Sequence, residues 1–342
     1  MSILKGKQLK AIGVVLLMLV LGASANQRPV QNTGNNNDPA EKKKTINRSF
    51  SVSSSDKLKI ENSFGNVEIK TWDKNEFKVN ITITTRAGSE SEAQRLLDAI
   101  EIKEKHTGGV YAFETDINNK GNNNKDGKSH KGRDHKEFSI DYEVYMPTGN
   151  PLETENSFGN LVVGDRNGET TLASRFGNLE AGKIASNNGI TTEYGEATIA
   201  SLSGGKATFQ FSGDVKIANL EGDVKVVAEY SDASLTLSSG LKALNLVNSF
   251  SHVRLNVPPG LPVALSANCK FGEFQNKTSY PLKEIEDEDN RYSMEKSYEC
   301  TSGDGSVKIK IKTNFGEVRI MNPGDKDEPK EKGRKKEKGQ KV

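Results

Sequence analysis

The sequence predicts an all-β fold, a β-solenoid or β-roll of roughly 18–20-residue turns with one short helix in its N-terminal part. Three observations lead to this prediction: one short phrase recurs nine times, most copies are evenly spaced, and apolar residues alternate with polar ones around each copy. A copy consists of an aromatic residue, then Gly or Ser, then usually Asn, Asp or Glu. The nine aromatic residues are Phe64, Phe158, Phe176, Tyr194, Phe211, Tyr230, Phe250, Phe271 and Phe315. From Phe158 to Phe271 the gaps are 18, 18, 17, 19, 20 and 21 residues, and a fixed period near this size is typical of stacked repeats.

Side chains around each aromatic residue alternate in character with a period of two. Four places before the aromatic the residue is nearly always apolar: Ile60, Thr154, Leu172, Ile190, Ala207, Val226, Leu246, Ala267 and Ile311. Immediately before the aromatic the residue is always polar: Ser63, Ser157, Arg175, Glu193, Gln210, Glu229, Ser249, Lys270 and Asn314. This period is typical of strands with one buried face. Each phrase therefore predicts two short strands joined at a corner.

The corner itself predicts a residue with positive φ. Gly adopts that conformation freely, and Asn and Asp tolerate it best among the other residues, so we assign it to the positions after the aromatic. A second set of glycines (168, 189, 204, 222, 240 and 260) lies midway between phrases and is expected at the opposite corner. We expect the aromatic residues to stack in one column, inside the repeat or along one edge, with the ~4.8 Å spacing of neighbouring strands. If Phe176 is fully buried in that column, Phe176→Ala should cost ~3–5 kcal/mol.

The two ends of the chain differ in composition from the repeats. Residues 1–25 read as a secretory signal peptide, because Lys5, Lys7 and Lys10 precede a short apolar run and Ala23-Ser24-Ala25 fits the cleavage rule. Residues 26–46, rich in Asn, Gln, Pro and Lys, predict a disordered linker, and residues 323–342 a charged disordered tail. No second long apolar stretch follows, so we expect no transmembrane segment after signal removal and a periplasmic, cell-surface or secreted location.

Residues 47–150 form a predicted N-terminal β region that precedes the repeats of 151–322. Strand patterns occur over Arg48–Thr85, Val110–Thr115 and Phe138–Met146. A helix is predicted over Ser89–Lys105, with Ser89 as its cap and Glu92 at the capping-box position. Asn118–Lys136 lacks apolar residues and predicts a mobile loop.

The end of the repeat region predicts a closing hairpin. It covers Tyr298–Ile311, after a charged excursion that begins at Lys283, and its turn is Gly303-Asp304-Gly305.

The net charge bears on whether the protein binds nucleic acid, and the two cysteines bear on whether it contains a disulfide. The formal net charge is +2, and about −1 without the three signal lysines, so there is no electrostatic case for nucleic acid. Of the two cysteines, Cys269 falls in an inward column and Cys300 in a strand expected near the last turns. We predict that both are buried and within bridging range, and the alternative is two buried thiols that act as small apolar residues.

The order of these motifs resembles a known family. The secretory signal, Asn62-Ser63-Phe64-Gly65-Asn66-Val67, the helix at Ser89, the strand 141–147 and then Glu155-Asn156-Ser157-Phe158-Gly159-Asn160 are similar to the putative adhesin family of bacterial β-strand-repeat proteins, a domain of unknown function. The resemblance covers roughly residues 47–322. It implies an exported bacterial β-solenoid or β-roll and brings no catalytic residues. The chain departs from the pattern at Ser231-Asp232 and Ser251-His252, where the corner Gly is replaced.

Three kinds of functional site are alternatives to a purely structural role: a Ca²⁺ site, a transition-metal site and a glycan-cleaving site. The corner column could supply oxygen ligands to Ca²⁺, but Asn and Asp are also what a turn requires; it consists of Asn66, Asn160, Asn178, Glu196, Asp214, Asp232, His252, Glu273 and Glu317. His130 and His135, with Asp126 and Asp134, lie in the loop without an apolar frame. A glycan-cleaving β-helix needs two fixed carboxylates, whereas the outward acids are scattered. We therefore predict no metal, no cofactor and no catalytic residues.

Two non-enzymatic functions remain. The first is an adhesin-like module that binds cell-surface polysaccharide or an envelope protein; the second is a structural or regulatory envelope protein with a membrane-associated partner. For the first, the candidate binding site is the outward column Arg175, Glu193, Gln210 and Glu229, where successive turns would set polar side chains side by side. The alternative is that this column is simply solvated.

Overall fold

The computed structural model describes residues 39–118, 137–285 and 294–325. This part of the chain is all-β with one short helix. The predicted signal peptide, residues 26–38 of the predicted linker, residues 119–136 of the predicted loop with its two histidines, and the tail beyond 325 lie outside the described residues. Within the described ranges, no helix has the length and apolar character needed to cross a membrane.

The described residues form twenty-one strands and helix α1, Glu90–Asp98. The strands are β1 Ala40–Ser51, β2 Lys57–Ser63, β3 Val67–Trp72, β4 Glu76–Ala87, β5 Ile100–Thr107, β6 Val110–Ile117, β7 Glu137–Pro147, β8 Leu152–Ser157, β9 Leu161–Val163, β10 Arg166–Arg175, β11 Leu179–Glu193, β12 Ala197–Gln210, β13 Asp214–Glu229, β14 Asp232–Ser249, β15 His252–Asn256, β16 Val263–Lys270, β17 Glu273–Asn276, β18 Lys283–Ile285, β19 Glu295–Thr301, β20 Val307–Asn314 and β21 Glu317–Met321.

The central strands are joined as a parallel ladder. β8, β10, β11, β12, β13 and β14 pair in that order, each in parallel with the next. Equivalent residues lie opposite one another: Leu172 pairs with Ile190, and Ala207 pairs with Val226. The long strands β11–β14 each run from one aromatic corner to the next, with a register irregularity about midway. Each stretch of chain between two corners is therefore one rung of the ladder.

The inward columns predicted from the sequence form the core. All nine residues four places before the aromatic are at most 1% exposed, including the polar Thr154. Strand β20 illustrates the alternation, with Val307, Ile309 and Ile311 buried between exposed lysines. Because a single rung cannot bury its own apolar face, stacking the rungs is what removes these side chains from water.

The N-terminal region extends the same ladder and covers its end. β2 pairs in parallel with β8 and β6, and β3 pairs in parallel with β9 and β7. β4 then lies antiparallel between β7 and β1. Residues 40–46, which the sequence assigns to the linker, are therefore part of edge strand β1. Lys43 and Lys44 are exposed, and charged residues are common on edge strands that avoid further pairing, while Ile46 and Phe50 pack against the core.

Helix α1 is shorter than the sequence predicts. It ends at Asp98, and the chain from Ile100 to Thr107 forms β5, antiparallel to β6. The cap is as predicted: the Ser89 hydroxyl oxygen accepts a hydrogen bond from the backbone N–H of Glu92 at 3.3 Å. The apolar stripe that suggested a longer helix continues into Ile100, which is buried as a strand residue instead.

The predicted closing hairpin is wrong. Strands β19 and β20 do not pair with one another, because β16 lies between them, antiparallel to β19 and parallel to β20. β20 also pairs in parallel with β14. Its apolar alternation matches the inward columns of both neighbours, so the last phrase is inserted between two earlier rungs.

The two cysteines are buried, as predicted, but they are not within bridging range. Cys269 lies opposite Lys296 and Cys300 lies opposite Leu265, four residues from Cys269 along β16. At about 3.3 Å per residue this register separates the two cysteines by ~13 Å, beyond the ~4.4–6.8 Å between Cα atoms that a disulfide requires. Both thiols are free in the structure.

Thiol titration should therefore find two free cysteines. Burial raises the pKa of Cys269 to about 11 and also raises the pKa of Cys300, so little thiolate is present at pH 8. In the native protein, a thiol reagent such as DTNB should react slowly. In denatured, unreduced protein two thiols should react, and finding none would show that a disulfide had formed.

Candidate functional site: the aromatic corners

The nine corner aromatics form one continuous stack, which we call the aromatic stripe. Along the stack their order is Phe64, Phe158, Phe176, Tyr194, Phe211, Tyr230, Phe250, Phe315 and Phe271. Neighbouring ring centroids are 4.8–5.0 Å apart and the planes differ by 1–10°. Eight such intervals make the stripe about 39 Å long. The predicted stacking and its spacing are thus confirmed.

The aromatic residues themselves, rather than the residues after them, have positive φ. All nine have φ between 50° and 63°, and none of the glycines or asparagines that follow them in the phrase does. For a residue with a Cβ this conformation costs roughly 1–2 kcal/mol. The inter-rung hydrogen bonds hold it in place: the backbone N–H of Phe176 donates to the carbonyl of Glu193 at 2.9 Å, and Phe158 donates likewise to Arg175.

The Gly that follows the aromatic is needed because the rungs approach closely. A Cβ on Gly159, Gly177 or Gly195 would lie 1.9–2.0 Å from the carbonyl oxygen of the glycine in the preceding rung. That is far inside van der Waals contact, so no other residue fits without a backbone shift. From the sequence, this Gly is expected to have a positive φ. In the structure its φ is not positive, and Gly is required because a Cβ would clash with the neighbouring rung.

The Asn that comes next forms a ladder along the first rungs. The side-chain oxygen of Asn66 accepts from the backbone N–H of Asn160 at 3.0 Å, and that of Asn160 accepts from Asn178 at 3.1 Å. Asn178 in turn accepts from the N–H of Glu196 at 2.9 Å. Each amide therefore satisfies a corner N–H of the next rung.

Corners with Ser in place of Gly keep the same geometry by a different set of bonds. Ser212, Ser231 and Ser251 are buried, and the Ser231 hydroxyl accepts from the N–H of Ser212 at 3.0 Å while the Ser251 hydroxyl accepts from Ser231 at 2.9 Å. The aromatic residues before them stack as regularly as the others. The departures at Ser231-Asp232 and Ser251-His252 therefore do not disturb the repeat.

The aromatic stripe lies at the surface. Its rings are 39–53% exposed, so they are not the fully buried column that a cost of 3–5 kcal/mol for Phe176→Ala assumes. Ring faces are covered by the neighbouring rings, and the edges face solvent. At one end Phe64 also contacts Phe138 at a steep angle, with ring centroids 5.0 Å apart and the planes 63° apart. The stripe is thus a narrow apolar ridge of ring edges.

The predicted outward column lies beside this ridge. Arg175, Glu193, Gln210 and Glu229 are register neighbours and half-buried, so the structure brings them together as the sequence suggests. Their polar groups bond within the ladder: Gln210 Nε2 donates to Glu229 Oε2 at 2.6 Å, and Arg175 Nε lies 3.4 Å from Glu193 Oε2. Arg175 also pairs with Glu155 at 2.5 Å, a partner that sequence reasoning missed because it is on the preceding rung.

The corner column of oxygen-bearing residues shows ordinary surface pairs. His252 Nδ1 lies 3.0 Å from Asp232 Oδ1, and Lys216 Nζ lies 2.5 Å from Asp214 Oδ2. Among the described residues, no group of three or more His, Cys, Asp or Glu side chains is arranged to hold a metal ion.

Comparison with solved structures found neighbours of low sequence identity. No family model and no curated protein matches the chain. Solved structures that resemble the chain include a putative cell adhesion protein from Clostridium sporogenes, with 12% identity, a TM-score of 0.25, and 82% of this chain and 98% of that chain covered. They also include a putative adhesin from Bacteroides fragilis, with 12% identity, a TM-score of 0.37, and 81% of this chain and 97% of that chain covered. A putative lipid binding protein from Parabacteroides distasonis has 13% identity, a TM-score of 0.37, and the same two coverages, 81% and 97%. At these identities and TM-scores, neither a shared site nor a shared ligand follows for this chain.

Proposed function

We propose that the protein is an exported, non-catalytic β-solenoid with turns of roughly 18–20 residues that acts by surface contact. Its role would be adhesin-like, the binding of cell-surface polysaccharide or an envelope protein. The observation that carries this proposal is the aromatic stripe, nine half-exposed rings in an unbroken line about 39 Å long.

Exposed apolar residues are ordinary when they are scattered, whereas contiguous apolar patches mark contact surfaces. In the aromatic stripe each ring is fixed by its stacked neighbours and has few torsions, so little conformational entropy is lost on binding. Holding nine aromatic residues in the left-handed backbone conformation also costs folding free energy. A ridge built at this cost is well suited to an extended partner that covers the ring edges.

The outward column supplies the second part of the proposed site. Arg175, Glu193, Gln210 and Glu229 each directly precede an aromatic residue of the stripe. Contact surfaces commonly have an apolar centre and a polar, partly hydrated rim. We assign these four residues to the rim, where they would set the register of the partner more than its affinity.

Removing rings without changing the backbone conformation tests the proposal. The triple variant Phe176→Gly, Tyr194→Gly and Phe211→Gly keeps positive φ accessible. We expect retention on whole cells or on isolated envelope polysaccharide to fall by about tenfold or more, since a few central aromatic residues usually supply most of the binding energy. Each lost ring pair should cost ~0.5–1.5 kcal/mol of folding stability, partly offset by relief of the left-handed strain.

The matched control is the double variant Tyr194→Phe and Tyr230→Phe, which keeps every ring and should be retained like the original chain. Thermal unfolding and circular dichroism establish that each variant is folded. A folded triple variant with unchanged retention would remove the aromatic stripe as the site, and turnover of a glycan by the protein would contradict the non-catalytic assignment. Replacing the four rim residues with Ser should have a smaller effect than removing the rings.

A further inference from the structure

A second surface feature is a group of exposed lysines on the outward side of the C-terminal rungs. Strand β20 presents Lys308, Lys310 and Lys312 to solvent at alternate positions. Lys225 on β13 and Lys206 on β12 lie in the same outward column as Lys310, with Asn245 of β14 between Lys310 and Lys225. We call these five residues the lysine face.

Spacing within the lysine face follows from strand geometry. Alternate residues of β20 are ~6.6 Å apart, and neighbouring strands are ~4.8 Å apart. Lys206 and Lys225 are directly opposite one another, and Lys225 is two strands from Lys310. The backbone positions of the five lysines therefore form a two-dimensional array with neighbours ~5–10 Å apart.

These lysines lack the ion-pair partners that lysines have elsewhere in the same column; the charge of Asp304 acts on Lys308 only from beyond ion-pair distance. At the N-terminal end Lys57 and Lys59 both pair with Glu153, at 2.8 and 2.9 Å. In the part of the chain that the structure describes, no carboxylate lies within ion-pair distance of the lysine face, and Lys308 Nζ donates instead to the carbonyl of Gly305.

The residues opposite the three lysines of β20 on the adjacent strands are neutral. Lys308 is flanked by Ala243 and Ala264, Lys310 by Asn245 and Ser266, and Lys312 by Val247 and Asn268. Like charges directly opposite one another, such as Lys206 and Lys225, destabilise a sheet. Natural proteins break such pairing rules at functional sites, and the opposed lysines therefore support a functional role for the lysine face.

The lysines also border a concave surface. A shallow groove of about 440 Å³ is lined by Lys225, Lys308 and Lys310, together with Ala243, Asn245 and the acidic residue Asp223. Small lining residues leave the groove open to a chain that lies along it. A concave, charged groove without exposed large apolar side chains suits a flexible polymer better than a membrane surface.

We propose that the lysine face binds a linear polyanionic glycan, a polysaccharide that carries carboxylate or other anionic groups at regular intervals. Lysine ammonium groups are flexible point charges, so they neutralise a series of charges without the fixed bidentate geometry that Arg gives to a single anion. Binding through several such contacts releases counterions and depends strongly on salt. The inference deepens the proposed surface-contact function by naming the class of polymer, but it uses residues outside the aromatic stripe.

The test compares two triple variants of the full chain with equal changes in charge. Lys225→Gln, Lys310→Gln and Lys312→Gln neutralise the lysine face; Lys44→Gln, Lys183→Gln and Lys277→Gln neutralise three exposed lysines elsewhere. Both keep residues 326–342, so the basic tail contributes equally. The probes are polygalacturonate and heparin, with neutral dextran as the uncharged reference, at 50 and 200 mM salt.

We expect the lysine-face variant to bind both anionic probes about tenfold more weakly and with a smaller salt dependence. The control variant should stay within about twofold of the original chain, since its charges are outside the array. Thermal stability of the lysine-face variant should be unchanged or higher, because like-charge repulsion is removed.

Equal losses in both variants would contradict the inference, because binding would then follow net charge alone. Anionic phosphatidylglycerol vesicles and RNA are measured as further probes, and a lysine-face variant that loses affinity only for one of these would also overturn the inference. The three stripe substitutions leave all five lysines in place, so failure here is distinguishable from failure of the aromatic stripe.

Discussion

Gly177→Ala should destabilise the protein by about 3 kcal/mol or more, a large effect for the addition of one methyl group. The new Cβ would lie 2.0 Å from the carbonyl oxygen of Gly159 and 2.6 Å from its carbonyl carbon. Both are backbone atoms, so no side chain can move aside. The rungs are held by parallel pairing on both sides of the corner, between β8 and β10 before it and between β9 and β11 after it. Relief of the clash therefore requires breaking part of the ladder.

Gly213→Ala is the matched control for this prediction. Gly213 lies in the corner after Phe211, but a Cβ added there would have Glu196 Cγ as its nearest neighbour, at 4.0 Å, which is an ordinary contact. Its φ is not positive, so the added methyl group brings no backbone strain. We expect a change within about 0.5 kcal/mol. Chemical denaturation of the two variants measures the difference, and equal stabilities would show that corner glycines are not required by rung contact.

The repeat could be predicted because every copy carries the same information. The aromatic spacing, the inward columns and the polar residue before each aromatic follow from local periodicity. The role of the corner Gly could not be predicted, because Gly is favoured both where φ is positive and where another backbone segment comes too close for a Cβ. A single copy of the phrase does not show which of these two reasons applies. Only contact between Gly177 and Gly159, residues of different rungs, decides it.

The errors at the ends of the repeat have a similar origin. The apolar alternation of β20 fits two arrangements, a hairpin with β19 and a parallel position beside β16. The alternation alone does not decide between them, because the choice depends on the strands that flank β20 in the fold. The sequence assigns the first residues of edge strand β1 to a linker because its run of lysines is also typical of disordered segments. The separation of Cys269 from Cys300 depends on the register of β19, which no local pattern contains.

The candidate site was predicted only in part. Side-by-side placement of Arg175 and Glu193 follows from the period, but the pairing of Arg175 with Glu155 and the exposure of the aromatic rings depend on how the corner is turned. The lysine face had a sequence signal, the alternating lysines of residues 308–312, but the missing acidic partners become visible only when the neighbouring rungs are known.

The second large effect is expected at Arg166, a fully buried arginine on β10. Its Nη1 donates to the carbonyl of Pro147 at 2.6 Å and its Nη2 donates to the carbonyl of Asn150. The Asn150 side chain in turn donates to the carbonyls of Ser53 and Asp56, at 2.7 and 2.8 Å. Arg166 therefore holds together three segments that meet where the N-terminal region joins the repeats.

Two opposing effects decide the outcome of Arg166→Met. Burial without a carboxylate lowers the pKa of Arg166 to about 10, so the charge persists at pH 7 at a desolvation cost that Met would remove. Met, however, leaves the carbonyls of Pro147 and Asn150 without their donors, at ~1–3 kcal/mol for each buried group. Because two acceptors are lost together, we expect the second effect to prevail, with a net destabilisation of about 2–4 kcal/mol.

Arg175→Met on the same strand is the matched control, since it makes the same chemical change at a half-exposed position. The Arg175 side chain is 42% exposed and pairs with Glu155 and Glu193, so its loss should cost less than about 1 kcal/mol. Urea denaturation of both variants provides the comparison. If Arg166→Met were as stable as Arg175→Met or more so, the desolvation cost of the buried guanidinium would outweigh its hydrogen bonds. In that case the junction would be held by packing of the inward columns, with Arg166 tolerated there rather than required.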